Sequence, residues 1–346
     1  MKIKINKKLT INPRKPPLII AEISANHCGK KSLFLDHIKS AAKNGADLIK
    51  IQTYEPDDIT VENNKYKIKS GIWRSKTLWS IYKKACTPFA WHKDAFKLAK
   101  KIGVTLFSSP FSIRAVDLLE KLNCPIFKIA SFEITDLKLI KYIASKKKPI
   151  ILSTGTAEIK EIKTALKLIN KFHNKVIILH CVSSYPTNEE NAQVKKINLL
   201  KKLFKNNLIG ISDHTSNINS SLAAAALGSA VIEKHFKISS KIKSPDSKFS
   251  ITPDQLKELK EGSIKIFNTL GNFSNLKLKV DKKSIYFRRS IYAKKDIYRG
   301  EKINDKNIIC LRPKVGIGAE YYFKIIGKKT NIDIKKNFPI FRKNII

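Results

Sequence analysis

Eight short runs of β-branched and aliphatic residues recur along the chain, each followed by a helical pattern, and this repeat limits the possible folds more tightly than any other feature. The runs are Leu18–Ser24, Leu48–Tyr54, Val104–Ser109, Ile126–Ser131, Pro149–Thr154, Val176–Val182, Leu208–Ser212 and Ala230–Phe236. Successive starts lie 30, 56, 22, 23, 27, 32 and 22 residues apart. A strand, a turn, a helix and a return loop need about that length. The runs are apolar at consecutive positions, as parallel strands covered on both faces are. Between them, Leu33–Asn44, Ile113–Leu122 and Ile159–Phe172 carry apolar residues at three- and four-residue spacing. Eight such units predict an α/β fold, a (β/α)8 TIM barrel, in preference to an open doubly wound sheet. The widest gap, Pro56 to Ala90 with Trp73 and Trp79, reads as a long loop over the barrel top.

Polar residues load the ends of these runs. In order they are Glu22; Lys50 and Gln52; Ser108 and Ser109; Lys128, Ser131 and Glu133; Ser153 and Thr154; Ser183 and Tyr185; Ser212 and His214; Glu233 and His235. In a barrel all of them gather at the C-terminal rim, where loops build the active site. One polar residue in a strand is usually a hydrogen-bonded core group, but eight loaded strand ends do not fit that pattern. Lys50 and Lys128 sit inside apolar strands (LIKIQ, IFKIA), where an ammonium is costly unless it meets an anion.

His214 and His235 fall on consecutive strands, and neighbouring parallel strands run roughly 4.8 Å apart. Two imidazoles at matching heights suit one divalent metal with positions left for substrate or water, hence Lewis-acid work rather than a closed structural site. His27, following Glu22 in AEISANH, is a further candidate for the rim. Ammonium groups with serine hydroxyls and backbone N–H groups form an anion site. The carboxylates of Glu22, Glu133 and Asp246 are then free to hold sugar-like hydroxyls or to move protons. The residues by themselves therefore point to metal-assisted chemistry on a phosphorylated small molecule.

Composition enters as a rival reading. In 346 residues, Lys+Arg 68 against Asp+Glu 28 gives a net charge of +40, which invites a nucleic-acid partner. Only eight of the basic residues are Arg, although phosphate readers favour the planar Arg fork. The lysines are spread without a tract, so they read as a solvated surface and no nucleic-acid partner is expected. The N-terminus lacks an apolar run followed by small residues, and no window approaches the ~18 apolar residues of a membrane span. Five scattered cysteines (28, 86, 124, 181, 310) fit reduced thiols in a cytoplasm.

Domain boundaries are expected at 1–270 for the barrel, 271–284 for a polar linker and 285–346 for a small domain of short extended pieces. So small a domain is too short for an extensive core. Arg312, one of the rare arginines, precedes a Gly-bearing loop there (LRPKVGIG) and is a candidate anion or carbonyl clamp.

The runs AEISANH, GADLIKIQTY, FSSPF, FKIASFE, ILSTGTA, LHCVSSYPT, GISDHT, VIEKHF and PDSKFS resemble, in order, those of the sialic acid synthase family. SANH, KSGIWRSKTLWSIYKKACTPFAWH, KIASFE and DSKFS are similar to the pseudaminic acid branch, and Ser183 stands where the sialic branch often has Asn. The C-terminal stretch resembles the small antifreeze-like (SAF) domain of that family. The resemblance implies condensation of phosphoenolpyruvate with an N-acetylated amino sugar, in the pseudaminic branch 2,4-diacetamido-2,4,6-trideoxy-altrose, to give a nine-carbon 2-keto acid and phosphate. It implies that Lys50, Gln52, Ser109, Lys128, Ser131, Ser153, Ser183 and Ser212 hold phosphoenolpyruvate. His214 and His235 are implied to bind a divalent metal (Mn, Mg or Co), while Glu22, Glu133, Tyr185 and Asp246 face the sugar. It implies a homodimer in which the small domain is swapped, so that Arg312 reaches the other subunit's site. Proton transfer falls to Glu22 or Glu133, with Lys128 balancing charge. The same chemistry giving N-acetylneuraminate or legionaminate is the alternative reading.

Overall fold

A short antiparallel hairpin, β1 (Ile3–Lys4) with β2 (Thr10–Ile11), opens the computed structural model, which describes residues 1–63, 65–271 and 280–346. Ile3 and Ile11 turn into the main core. Two residues per strand are too few to show the period-two pattern by which a strand is read from sequence.

Eight parallel strands follow and close into a barrel: β3 (Leu18–Glu22), β4 (Leu48–Thr53), β5 (Thr105–Pro110), β6 (Phe127–Ile129), β7 (Ile150–Ser153), β8 (Val176–Cys181), β9 (Leu208–Asp213) and β10 (Val231–His235). Each pairs with its sequence neighbour, and β10 returns to β3 with His235 opposite Glu22. The expected (β/α)8 barrel is therefore the observed fold. Isoleucine and leucine bury both faces of these strands, inward against each other and outward against helices. Gly210 has a steric reason in the middle of β9: a Cβ there would strike the Val231 carbonyl and approach Leu179 Cδ2 to 2.8 Å.

The helices are α1 (Lys31–Lys43), α2 (Leu78–Ala85), α3 (Phe89–Ile102), α4 (Ile113–Lys121), α5 (Leu137–Ser145), α6 (Ile159–Ile169), α7 (Lys196–Leu203), α8 (Asn219–Ala226) and α9 (Pro253–Leu270). Several begin on a side-chain cap just beyond a strand. Ser112 accepts from the Ala115 N–H at 3.2 Å and starts α4; Asp136 accepts from the Leu139 N–H at 3.0 Å and starts α5. Each cap satisfies a helix-end N–H and stops the mouth loop at a set place. Thr252 and Gln255 form a capping box at α9, with Pro253 in its first turn. The long gap holds more regular structure than a loop: a 3-10 turn at Pro56–Asp58, then α2 and the start of α3. α2 buries only Ile81, too short a stripe to read as periodic.

The chain divides into two units, Met1–Gly271 and Asn272–Ile346. Of the expected linker, residues 272–279 lie outside the described residues, and Asp281–Ser284 forms one helical turn, α10. The second unit pairs β11 (Ser290–Ala293) antiparallel with β12 (Ile308–Leu311). A small isoleucine core, including Ile291, Ile297, Ile303, Ile317 and Ile340, holds its short turns together.

Candidate active site

Strand register sets the first contacts at the barrel mouth. Glu22 on β3 pairs with Lys50 on β4, Gln52 on β4 with Ser109 on β5, and Ser212 on β9 with Glu233 on β10. Closure then brings Glu233 of β10 to lysines on β4 and β6, strands that are not its neighbours. Lys50 Nζ lies 2.7 Å from Glu22 Oε2 and 3.4 Å from Glu233 Oε1, and Lys128 Nζ on β6 reaches the same Glu233 oxygen at 2.8 Å. Ser212 donates to that oxygen at 3.0 Å, Gln52 donates to Glu22 Oε1 at 3.2 Å, and Lys50 donates to Ser109 Oγ at 3.4 Å. All four charged side chains are buried.

Buried charge of this kind is tolerated only when paired and hydrogen-bonded. Burial pulls the Lys50 pKa down, but Glu22 and Glu233 outweigh it and hold the ammonium protonated. Burial would raise Glu233, yet Lys128 and Lys50 bring its carboxyl down to about 2. Burial raises Glu22, with Lys50 opposing. Glu233 Oε2 lacks a hydrogen-bond partner within the protein, whereas Glu22 Oε2 is held by Lys50, so the cluster retains capacity for a bound group at Glu233.

Beside the lysines lies a cradle of small polar groups. Ser131 Oγ accepts the Gly155 N–H at 3.1 Å and donates to Cys181 Sγ at 3.4 Å. The hydroxyls of Ser153 and Ser183 are sealed from solvent and unpartnered. A Cβ at Gly155 would collide with Ser183 Oγ and come within 2.7 Å of Ser131 Oγ, so only glycine leaves this space open. Idle hydroxyls next to buried ammonium groups are suited to an oxyanion.

Glu133 sits in the 3-10 turn Ser131–Thr135 after β6, not in a strand. Its Oε2 is buried without a partner, and burial pushes its carboxyl up to about 7. Such a carboxyl carries its proton near neutrality and can give it up, unlike Glu233.

His214 and His235 face each other with ring centroids 5.4 Å apart. His214 Nδ1 lies 2.9 Å from the Val182 carbonyl, which can only accept, so that nitrogen carries a proton. Burial lowers the imidazole's pKa, but Cys181 and that carbonyl outweigh it and raise it above its usual value, so Nε2 offers a lone pair only once its own proton is lost. His235 Nδ1 is buried and unpartnered, 3.8 Å from Asp246 Oδ2, and burial together with His214 keeps its imidazole neutral. Cys181 Sγ lies 3.8 Å from His214 Nδ1. Burial would raise that thiol's pKa, but His214 brings it below its usual value. Among the described residues no three His, Cys, Asp or Glu side chains form a metal cage. Two imidazoles, one with an orphaned nitrogen, nonetheless fit a divalent ion whose remaining positions are filled by substrate and water. Tyr185 packs at a tilt against His214 with ring centroids 4.4 Å apart, and Phe249 packs edge-on to His235 at 4.8 Å.

Not every strand-end residue joins this group. Ser108 turns outward, where its hydroxyl and that of Thr53 lie 2.6 Å apart and Thr53 meets His92 Nε2 at 2.8 Å. Thr154 bonds the Leu179 carbonyl at 2.9 Å. His27 is packed between Phe34 and Trp91, with Thr87 Oγ1 3.3 Å from its Nε2, which makes it a structural residue. Arg312 belongs to the second unit, exposed directly after β12. Sequence reasoning placed Glu233 at the rim without giving it a role, and it passed over two further mouth residues, Gly155 and Cys181. Glu233 was visible as an acid inside an apolar strand; Gly155 and Cys181 gave no such signal.

Residues 37–275 match the NeuB family, and residues 288–345 match the SAF domain. A pseudaminic acid synthase of Campylobacter jejuni is 40% identical, covering 94% of this chain and 95% of that protein. An N,N'-diacetyllegionaminic acid synthase of the same organism is 38% identical over 93% of this chain and 98% of its own. Among solved structures, the N-acetylneuraminic acid synthetase of Leptospira borgpetersenii, in complex with citrate, superposes with TM-score 0.75 at 30% identity, covering 82% of this chain and 95% of that one.

Proposed function

The chain belongs to the NeuB family, and on that basis we propose that it catalyses the pseudaminic acid synthase reaction. Phosphoenolpyruvate condenses with 2,4-diacetamido-2,4,6-trideoxy-altrose and water to give a nine-carbon 2-keto acid and phosphate. The observation that carries this reading is the pair of buried lysines beside the unpartnered Ser153 and Ser183 hydroxyls. Lys50 and Lys128 balance the phosphate and carboxylate, while Ser109, Ser131, Ser153, Ser183 and Ser212 donate hydrogen bonds and Gln52 orients the ligand. Asp246, Tyr185 and Glu22 line the acceptor sugar's side.

In the reaction, C3 of the enol phosphate attacks the aldehyde carbon of the open-chain sugar. Glu133, protonated near neutrality, delivers a proton to the aldehyde oxygen; Glu22 is committed to Lys50 and Gln52. Water then adds at C2 and returns a proton to Glu133; the C2 hydroxyl collapses to the ketone as the C–O bond to phosphate breaks, its proton leaving with the phosphate. Lys50 stays charged through both steps and, together with Lys128, stabilises the departing phosphate. Burial pulls the Lys128 pKa below its usual value, with Glu233 opposing. His214 and His235 would hold a divalent ion (Mn, Mg or Co), which when bound supplies positive charge to polarise the aldehyde oxygen.

Arg312 is proposed to contact the acceptor's N-acetyl group in the partner subunit of a domain-swapped homodimer, since it lies in a unit separate from the barrel. Among the described residues no helix is long and apolar enough to cross a membrane. Five cysteines without a disulfide support a cytoplasmic location.

Phosphate release measured with the altrose derivative, N-acetylmannosamine and 2,4-diacetamido-6-deoxy-mannose side by side tests the substrate. The altrose derivative is expected to give the highest kcat/KM. Preference for either other sugar replaces this reading with neuraminate or legionaminate synthesis.

A further inference from the structure

Behind the two imidazoles, on the outer wall of the barrel, lies a second buried ion pair that the proposed reaction does not use. Lys234 has no exposed surface, and its Nζ lies 3.0 Å from Asp213 Oδ2. The same ammonium donates to the Thr215 carbonyl at 2.6 Å and to Thr215 Oγ1 at 3.1 Å, so its three donors each meet an oxygen. Asp213 Oδ2 also accepts the Ser221 hydroxyl of α8 at 2.6 Å, and Asp213 Oδ1 accepts the Thr215 N–H at 2.9 Å.

The placement of this network gives it a purpose. Asp213 and Thr215 flank His214; Lys234 immediately precedes His235. Register sets Lys234 opposite Asp213 across β9 and β10. Side chains alternate along a strand, so a lysine fixed outward at 234 sends the imidazole at 235 inward. One ammonium thus ties both neighbours of the first imidazole to the backbone that carries the second. Stability alone is a poor account of it. Replacing both members of a buried ion pair by apolar groups is often neutral or stabilising, because desolvation offsets the Coulomb gain.

We propose that Lys234 and Asp213 are positioning residues that hold His214 and His235 at the spacing required for a shared divalent ion. This rests on the metal reading of the two imidazoles. Outer groups that orient metal ligands typically change ion affinity by about 10–100-fold when removed.

The test is calorimetric titration of MnCl2 alone into the full chain, without substrates. It compares wild type with Lys234→Met, Ser221→Ala and the double variant Asp213→Asn/Lys234→Met, with melting temperature recorded in parallel. Cobalt-substituted protein adds a visible absorption band that reports coordination geometry. Lys234→Met is expected to weaken manganese binding by about 10–100-fold and to alter the cobalt band; Ser221→Ala does so more mildly. The double variant is expected to regain melting temperature but not ion affinity, which separates positioning from folding. If Lys234→Met does not fold, the other two variants carry the comparison. Wild-type binding with every folded variant within about twofold of it, and an unchanged cobalt band, overturns the positioning role alone. Failure of wild type to bind either ion overturns the metal reading and this inference together.

Discussion

Lys50 Nζ and Glu22 Oε2 lie 2.7 Å apart at the point where β3 pairs with β4, and both side chains are sealed from water. A pair in that position serves the fold and the site at once, and substitution can separate the two. Lys50→Met leaves Glu22 and Glu233 facing each other with less countercharge, and is expected to cost about 3–5 kcal/mol in urea unfolding. Adding Glu22→Gln is expected to recover much of that stability while phosphoenolpyruvate binding stays lost. Recovery of binding in the double variant would show that Lys50 acts only structurally.

Glu133 makes a pH prediction. Its carboxyl is raised by burial from an ordinary 4.5 to about 7, so between those values the folded chain holds a proton that the unfolded chain has released. Its contribution to stability is therefore lost as pH rises through that window and is constant above about 7. Glu133→Gln removes this dependence, so the variant loses less stability than wild type between pH 5 and 8. As the proton donor, Glu133 also sets an alkaline limb near pH 7 in kcat/KM. That limb disappears in Glu133→Gln, with kcat lower by roughly 10²–10⁴.

Gly155→Ala places a methyl group against the Ser131 and Ser183 hydroxyls. The KM for phosphoenolpyruvate is expected to rise by about tenfold or more, the loss of one or two charge-assisted hydrogen bonds. KM for the sugar should change far less. Equal effects on both would place the cradle elsewhere.

Chelation is expected to abolish phosphate release, and added Mn, Mg or Co to restore it in wild type but not in His214→Ala or His235→Ala. Circular dichroism should show both variants folded. Undiminished turnover in chelator removes the metal from the reaction.

Domain exchange across a homodimer makes a complementation prediction. Chains carrying Arg312→Ala and chains carrying Lys128→Met, each inactive alone, should on mixing and exchange recover about a quarter of wild-type turnover, since half the dimers are mixed and each has one intact site. No recovery, with subunit exchange confirmed, places Arg312 at its own chain's site or at none.

The barrel was legible in the sequence because a parallel strand covered on both faces must be apolar at every position, and eight such runs separated by helix-length segments suit few folds besides a closed barrel. The polar strand ends were legible for the same reason, as exceptions within those runs: Lys50, Lys128, His214 and His235 stood out against isoleucine and leucine. The large net charge, by contrast, said little about the site, where acidic Glu233 holds the two lysines.

Which strand ends meet is settled only in three dimensions. Adjacent serines at 108 and 109 read alike, yet pleating turns the first outward to Thr53 and the second inward to Lys50. Glu233 joins lysines from β4 and β6, and Gly155 borders Ser183 of the segment after β8. Those contacts depend on closure of the barrel and on register. Local sequence encodes how each segment pairs with water and with its own backbone; it does not encode distances across an interior that exists only once β10 has returned to β3.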